Sequence, residues 1–295
     1  GPRTMATDID SPYKKADRVC HPVKHEWGVG EVLEDSNGNT VRVFFTHAAE
    51  KQLDCDFVTL QRVHGQEAES TLLDNLLLTT APGTKFMSLN DGIQRFLEQY
   101  PGGFYGESFL TDERNYKEDA HEMARTILAE SELTPLVQSE NYAEVCRRAK
   151  QVLGKTNLVF PNEMMAFSDG LKSGDGERQF AVGLYRSLYG DEEPATQFTQ
   201  FAEVLERMGA AKWTLATYWL FLRHPEEFMF VKPKVTQDAA ALCRFDILYS
   251  PQLSWGTYQR ILAFSKHLMT ELENAGLKPR DFIDVQSFIW CLGKG

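Results

Sequence analysis

The sequence predicts a small all-β barrel at residues 13–63, followed by a larger, mainly α-helical domain at residues 70–295. Three observations support this division. β-branched and aromatic residues come in short runs before residue 64, whereas apolar residues recur every three to four positions after residue 70. A polar connector, residues 64–70, separates the two patterns and marks the boundary.

The clearest element of the predicted barrel is a hairpin. Asn37-Gly38 separates residues 28–33 from residues 40–45, and Asn-Gly favours a type I′ turn because both residues tolerate a positive φ. Further strands are predicted within 14–21, 50–53 and 60–63, and five short strands in about fifty residues indicate a small, strongly bent barrel. Gly28 and Gly30 permit the close backbone approach that such a barrel needs.

Helical periodicity characterises the second domain. Tyr116, Ala120, Met123 and Ile127 are spaced as one face of a helix. Ser139 is the expected N-cap of the next helix, and Ser254 of a later one that ends at Gly276. Other helices are predicted at 198–208, 213–223 and 281–292, and the glycine-rich residues 170–176 predict a flexible loop.

Charge and cysteine content narrow the function classes. The net charge is −11, which disfavours a broad electrostatic contact with nucleic acid, although residues 13–63 are nearly neutral. The five cysteines form no CxxC pair, so we expect no structural zinc site and no disulfide framework. No run approaches the roughly 18 apolar residues of a membrane span. We therefore expect a cytoplasmic protein without a metal or another cofactor.

A resemblance to a known family lies in the predicted barrel. Its residues are Asp17-Arg18-Val19-Cys20-His21-Pro22, Trp27-Gly28-Val29-Gly30-Glu31-Val32 and Val41-Arg42-Val43-Phe44-Phe45. This pattern resembles a small Tudor-like bacterial family, the C-terminal Tudor domain of UvrD-type helicases and, more distantly, the polymerase-interacting domain of CarD-type regulators. The resemblance implies a docking module, often for RNA polymerase, without chemistry of its own.

A second resemblance lies near the C-terminus. Residues 278–290, which include Arg280-Asp281 and Asp284-Val285-Gln286-Ser287, are similar to a helix found in McrB-type restriction and anti-phage proteins. The resemblance implies a context of genome defence or DNA maintenance and no particular reaction. We expect Asp281 and Asp284 to cap and solvate this helix, and Arg280 and Gln286 to contact a neighbouring helix.

No motif predicts catalysis. His121-Glu122 lacks a second histidine four residues after the first, so a solvated helix surface is expected there. The histidines His21, His25 and His47 match no metal-ligand spacing. No catalytic or metal-binding residue is therefore assigned.

The predicted function is that of a non-enzymatic adaptor whose barrel binds a protein partner, such as RNA polymerase or a defence or repair effector. The predicted partner-binding residues are Trp27, Arg42, Phe45 and Lys51. Trp27 is the expected aromatic anchor, and strand alternation places Phe44 and Phe45 on opposite faces.

Two alternatives remain open. One is a DNA-binding accessory protein of a restriction or anti-phage system, which would use a basic edge formed by Lys14, Lys15, Arg18 and Lys24. The other is an enzyme with an unrecognised site in the helical domain, which converging titratable groups in a pocket would support.

Overall fold

The computed structural model describes residues 12–78 and 86–294. Its N-terminal part is an antiparallel sheet of five strands: β1 (Arg18–Cys20), β2 (Gly30–Val32), β3 (Thr40–Phe45), β4 (Ala49–Asp54) and β5 (Gln61–Arg62). The strand order across the sheet is β4-β3-β2-β1-β5. The prediction of an all-β N-terminal segment is therefore confirmed.

The core of the sheet lies against one face of β3. Val41, Val43 and Phe45 alternate along this strand and are buried there. Tyr13 and Leu60 belong to the same core. The two residues are also joined by a hydrogen bond of 2.9 Å, which the backbone N–H of Leu60 donates to Tyr13 Oη. The alternation of β3 therefore determines which of its side chains remain available on the other face.

The turn between β2 and β3 corrects the sequence-based assignment. Asn37 and Thr40 exchange two backbone hydrogen bonds, of 2.9 and 3.0 Å, so Gly38 and Asn39 form the loop. Gly38 has a φ of 60°, and neither asparagine beside it has a positive φ. The type I′ prediction is therefore wrong, since glycine at the first loop position is typical of a type II′ turn.

Gly30 shows why the small sheet needs glycine. A Cβ atom at Gly30 would lie 2.7 Å from Val43 Cγ1 and 2.8 Å from Phe45 Cδ1. At Gly28 the φ of 75° adds backbone strain for any other residue. Both residues therefore allow β2 and the chain before it to pack closely on β3.

Helices form most of the remaining chain. They are α1 (Thr71–Asp74), α2 (Leu89–Gln99), α3 (Glu107–Phe109), α4 (Asn115–Ile127), α5 (Glu130–Gln138), α6 (Tyr142–Leu153), α7 (Pro161–Lys172), α8 (Gly176–Tyr189), α9 (Pro194–Arg207), α10 (Trp213–Arg223), α11 (Pro233–Leu242), α12 (Trp255–Asn274) and α13 (Phe282–Lys294). A π-helical segment, Leu110–Arg114, joins α3 to α4. The predicted mainly helical second part is therefore confirmed.

Several helix boundaries agree with the sequence signals. Helix α10 has the predicted bounds, and Ser254 caps α12 by accepting a hydrogen bond from Thr257 N. Ser139, in contrast, follows the end of α5, and Asn141 precedes α6. The predicted role of Ser139 as an N-cap is therefore wrong.

The glycine-rich residues 170–176 are mostly helical. Gly170 lies in α7, where an added Cβ would be 2.5 Å from the backbone oxygen of Met208, and Gly176 begins α8. Only residues 173–175 connect these helices. Gly170 therefore serves close packing, and the prediction of a flexible loop over all of residues 170–176 is wrong.

The described chain divides into two compact units. The first comprises the described residues up to Gln94 together with Ala241–Phe245, and the second comprises Arg95–Ala240 and the residues from Asp246 onward. The first unit therefore extends beyond the predicted barrel. Among the described residues, no helix combines the length and apolar character that a membrane span requires.

The extension of the first unit covers the second face of the sheet. Phe44 is fully buried there, with its ring centroid 5.4 Å from that of Phe86. The guanidinium carbon of Arg244 lies 5.2 Å from the Phe44 ring, and Arg244 Nε donates a hydrogen bond to Leu77 O at 2.8 Å. Because Phe44 needs an apolar cover, residues 13–63 alone do not complete the unit.

Candidate functional site

Trp27 is held firmly at the surface of the first unit. It ends a short 3-10 helix, His25–Trp27, and is half-buried. Its ring centroid lies 5.1 Å from that of Phe45 and 4.9 Å from that of His21. Lys51 Nζ lies 5.1 Å from the centroid of the Trp27 ring, within the range of a cation–π contact. Phe45 and His21 therefore fix the position of the indole, and Lys51 places a positive charge beside it.

His21 stabilises the loop before Trp27. Its Nδ1 accepts hydrogen bonds from the backbone N–H groups of Val23 at 3.1 Å and Lys24 at 2.9 Å. Burial lowers the pKa of His21, which agrees with a neutral ring accepting both bonds. Val23, on this loop, is 72% exposed. We call Val23, Trp27 and Lys51 the Trp27 surface.

The other two predicted partner-binding residues lie elsewhere. Phe45 is fully buried beneath Trp27, so it supports the indole and offers no surface to a partner. Arg42 lies on the opposite face of the sheet, since it alternates with Val43, which pairs with Lys51. There Arg42 forms ion pairs with Glu34 at 3.0 Å and with Glu50.

The predicted basic edge does not form a free cluster of positive charge. Arg18 is paired with Glu31 at 2.9 Å and with Asp74 at 2.8 Å, and it donates to Ala68 O at 2.8 Å. Lys14 and Lys15 precede β1, whereas Lys24 follows it. Since the central arginine is already neutralised, these four residues form a poor site for phosphate groups.

Among the residues that the structure describes, three potential metal ligands lie close together: Glu118, His121 and Glu122, whose ligand atoms are within 4.8 Å of one another. Glu118 already pairs with Arg114. His121 Nδ1 donates to the backbone oxygen of Leu222. Glu118 and His121 are partly buried and already have protein partners, and Glu122 is exposed, so no metal site is assigned to this group.

A polar centre that the sequence did not predict lies inside the second unit. The π-helical segment ends in Glu113 and Arg114, and both are buried together with Lys117 of α4. The expected apolar face of α4 is thus only part of its buried surface, because charged side chains occupy the interior as well. π-Helical turns are frequent at functional sites.

Arg114 connects this segment to the C-terminal helix. Arg114 Nη1 donates to Asp281 at 2.7 Å and to Asp284 at 3.1 Å. Arg280 Nη1 pairs with the same Asp284 at 3.0 Å. Asp281 also caps α13 by accepting from Ile283 N at 2.9 Å. The expected cap is present, but Asp284 is fully buried, so its predicted solvation is wrong.

Lys117 is the most deeply buried cation of this centre. Its Nζ donates to Glu113 at 3.0 Å, Gln286 Oε1 at 2.7 Å and Ser287 Oγ at 2.8 Å. Burial lowers the pKa of Lys117, and the neighbouring carboxylate of Glu113 offsets part of this effect. All three ammonium hydrogens are used, so Lys117 positions its neighbours. The expected contact of Gln286 with another helix is confirmed.

A cavity of about 200 Å³ opens beside Lys117 within the second unit. We call it the Lys232 cavity; its lining residues are Asp112, Glu113, Tyr116, Lys117, Asn157, Leu158, Lys232, Gln286 and Trp290. Lys232 Nζ lies 4.2 Å from the ring centroid of Phe160 and 5.6 Å from that of Trp290. It donates to Leu158 O at 3.3 Å, and burial lowers its pKa.

Comparison with known proteins gives one match. A family model described as "Protein of unknown function (DUF3553)" matches residues 14–63. No curated protein and no solved structure matches the chain. The matched residues contain all five strands, from Arg18 to Arg62. The N-terminal sheet is therefore similar to this family of unknown function.

Proposed function

We propose that the chain is a non-enzymatic adaptor, and that its first unit binds a protein partner through the Trp27 surface. The observation that carries this proposal is the geometry of Trp27, which is half-exposed and fixed between Phe45 and His21. Tryptophan is enriched among the residues that dominate binding energy, and a fixed ring loses little side-chain entropy when a partner covers it.

The chemistry of the surface indicates what a partner offers. Val23 and the Trp27 indole present apolar area, and Lys51 adds a positive charge beside it. The matching surface would carry an apolar side chain with an acidic group next to it. The resemblance of the predicted barrel, residues 13–63, to Tudor-like docking modules suggests that this partner belongs to the transcription, repair or genome-defence machinery.

DNA binding through the sheet is less well supported. Arg18, the central residue of the proposed basic edge, already contacts two carboxylates. A DNA complex would have to break these ion pairs and overcome the net charge of −11.

The proposal is tested by native co-purification from the source cells, followed by mass spectrometry. We expect a partner to co-purify with the wild-type chain, and both Trp27→Ala and Lys51→Glu to reduce its recovery at least tenfold. Arg42→Ala is the matched control, because Arg42 lies on the opposite face of the same sheet. It should retain the partner.

Lys51→Glu also distinguishes lost binding from lost folding, since Lys51 is not part of the buried core. Circular dichroism should show the same helix content and melting temperature for this variant as for the wild type. Equal recovery with Trp27→Ala and wild type, or loss with Arg42→Ala alone, would refute the proposed surface.

A further inference from the structure

We propose that the Lys232 cavity binds a small anionic molecule, whose carboxylate or phosphate oxygens pair with Lys232 Nζ and accept a hydrogen bond from Gln286 Nε2. This site lies wholly within the second unit and is independent of the Trp27 surface.

The charges around the cavity favour an anion. Glu113 and Lys117 neutralise each other at 3.0 Å. Lys232, in contrast, forms no ion pair with any described residue; its contacts are the carbonyl of Leu158 and two aromatic rings. The remaining charged lining residue, Asp112, is exposed to solvent. The charge of Glu163 acts on Lys232 from a distance and raises its pKa against the effect of burial, but Glu163 forms no ion pair with it. Lys232 is therefore the lining cation whose ammonium group has no direct carboxylate partner among the described residues.

Gln286 supplies a directed donor. Its side chain is almost completely buried, with 3% exposure. Since Lys117 can only donate, the contact at 2.7 Å fixes Gln286 Oε1 toward Lys117 and turns the amide nitrogen away from it. Gln286 Nε2 donates to no described residue, and Gln286 lines the cavity. An amide nitrogen at the cavity wall without a protein acceptor among the described residues is suited to an oxygen of a ligand.

The size and walls of the cavity limit the ligand. A volume of about 200 Å³ is below the ~300–1,000 Å³ of sites for drug-sized ligands. Tyr116 and Trp290 provide aromatic wall area. Inorganic phosphate and a small planar carboxylate such as benzoate both satisfy these limits, and they represent the two sources of an anionic oxygen group.

The test titrates the chain of 295 residues with sodium phosphate and, separately, with sodium benzoate, at constant ionic strength set by sodium chloride. Binding is followed by isothermal titration calorimetry. We expect saturable binding of at least one probe, and the tighter probe identifies the anion class. Lys232→Met removes the charge and keeps the aliphatic stem, so it should weaken binding at least tenfold.

Lys234→Met is the matched control. Lys234 is two residues after Lys232, its side chain is 90% exposed, and it pairs with Asp238. Anion binding by this variant should therefore be unchanged. If Lys232→Met does not fold, Lys232→Gln provides the same comparison. Absence of saturable binding by either probe, or equal affinity of the wild type and the Lys232 variant, would overturn the proposal.

Discussion

Arg114→Ala is expected to destabilise the second unit by about 3–5 kcal/mol, which is typical when one partner of a buried ion pair is removed. Arg114 contacts Asp281 and Asp284, and Asp284 is fully buried. After the substitution Arg280 alone would face Asp284, and Asp281 would lose its cation. A buried carboxylate without a full set of partners is costly.

Urea unfolding followed by circular dichroism measures this effect, because the helices dominate the signal. Arg147→Ala is a matched control: Arg147 also pairs with a carboxylate, that of Glu144, but its side chain is 61% exposed. The control should leave the urea midpoint nearly unchanged. Equal urea midpoints for Arg114→Ala and Arg147→Ala would contradict this prediction, because they would show that the buried ion pairs of Arg114 contribute little to the free energy of unfolding.

Lys117→Met is expected to lower the free energy of unfolding by a similar amount, about 3–5 kcal/mol, because it leaves the buried Glu113 carboxylate without its cation. The double variant Lys117→Met/Glu113→Gln should recover most of this loss. It contains no buried charge at this place, and replacing a buried ion pair with uncharged groups is often close to neutral.

The double-mutant cycle of Lys117 and Glu113 is measured by the same urea unfolding. The expected outcome is a double variant that is clearly more stable than Lys117→Met alone. Additive losses would contradict it, since they would mean that the two side chains do not depend on each other. The result bears directly on the Lys232 cavity, whose lining includes both residues.

Much of the first unit could be predicted from local sequence signals. The β-branched and aromatic residues of β3 and the glycine of the β2–β3 turn both act over a few positions, and the structure contains the predicted hairpin. The same alternation rule that separates Phe44 from Phe45 also separates Arg42 from Phe45. Applied to the whole predicted site, it would have placed Arg42 on the other face.

The interior of the second unit could not be predicted in this way. Glu113, Arg114 and Lys117 have the composition of a solvated helix face, and their partners in α13 lie about 170 positions away in the sequence. The loop prediction at Gly170 failed for a similar reason, since the close approach of Met208 explains why a glycine lies within this helix. Such pairings depend on tertiary contacts and leave no local pattern.

Site-specific photo-crosslinking tests the central claim, a partner bound at the Trp27 surface, most directly. A benzophenone amino acid would replace Val23, which is 72% exposed on the loop before Trp27, and in a second variant Phe57, which is 85% exposed. Phe57 and Trp27 lie near opposite ends of β4. Phe57 follows the last residue of β4, whereas Trp27 lies near its first residue, because the Trp27 carbonyl accepts a hydrogen bond from the backbone N–H of His47. We expect the partner recovered by co-purification to crosslink from position 23 and not from position 57. Crosslinking of that partner from position 57 alone would contradict it.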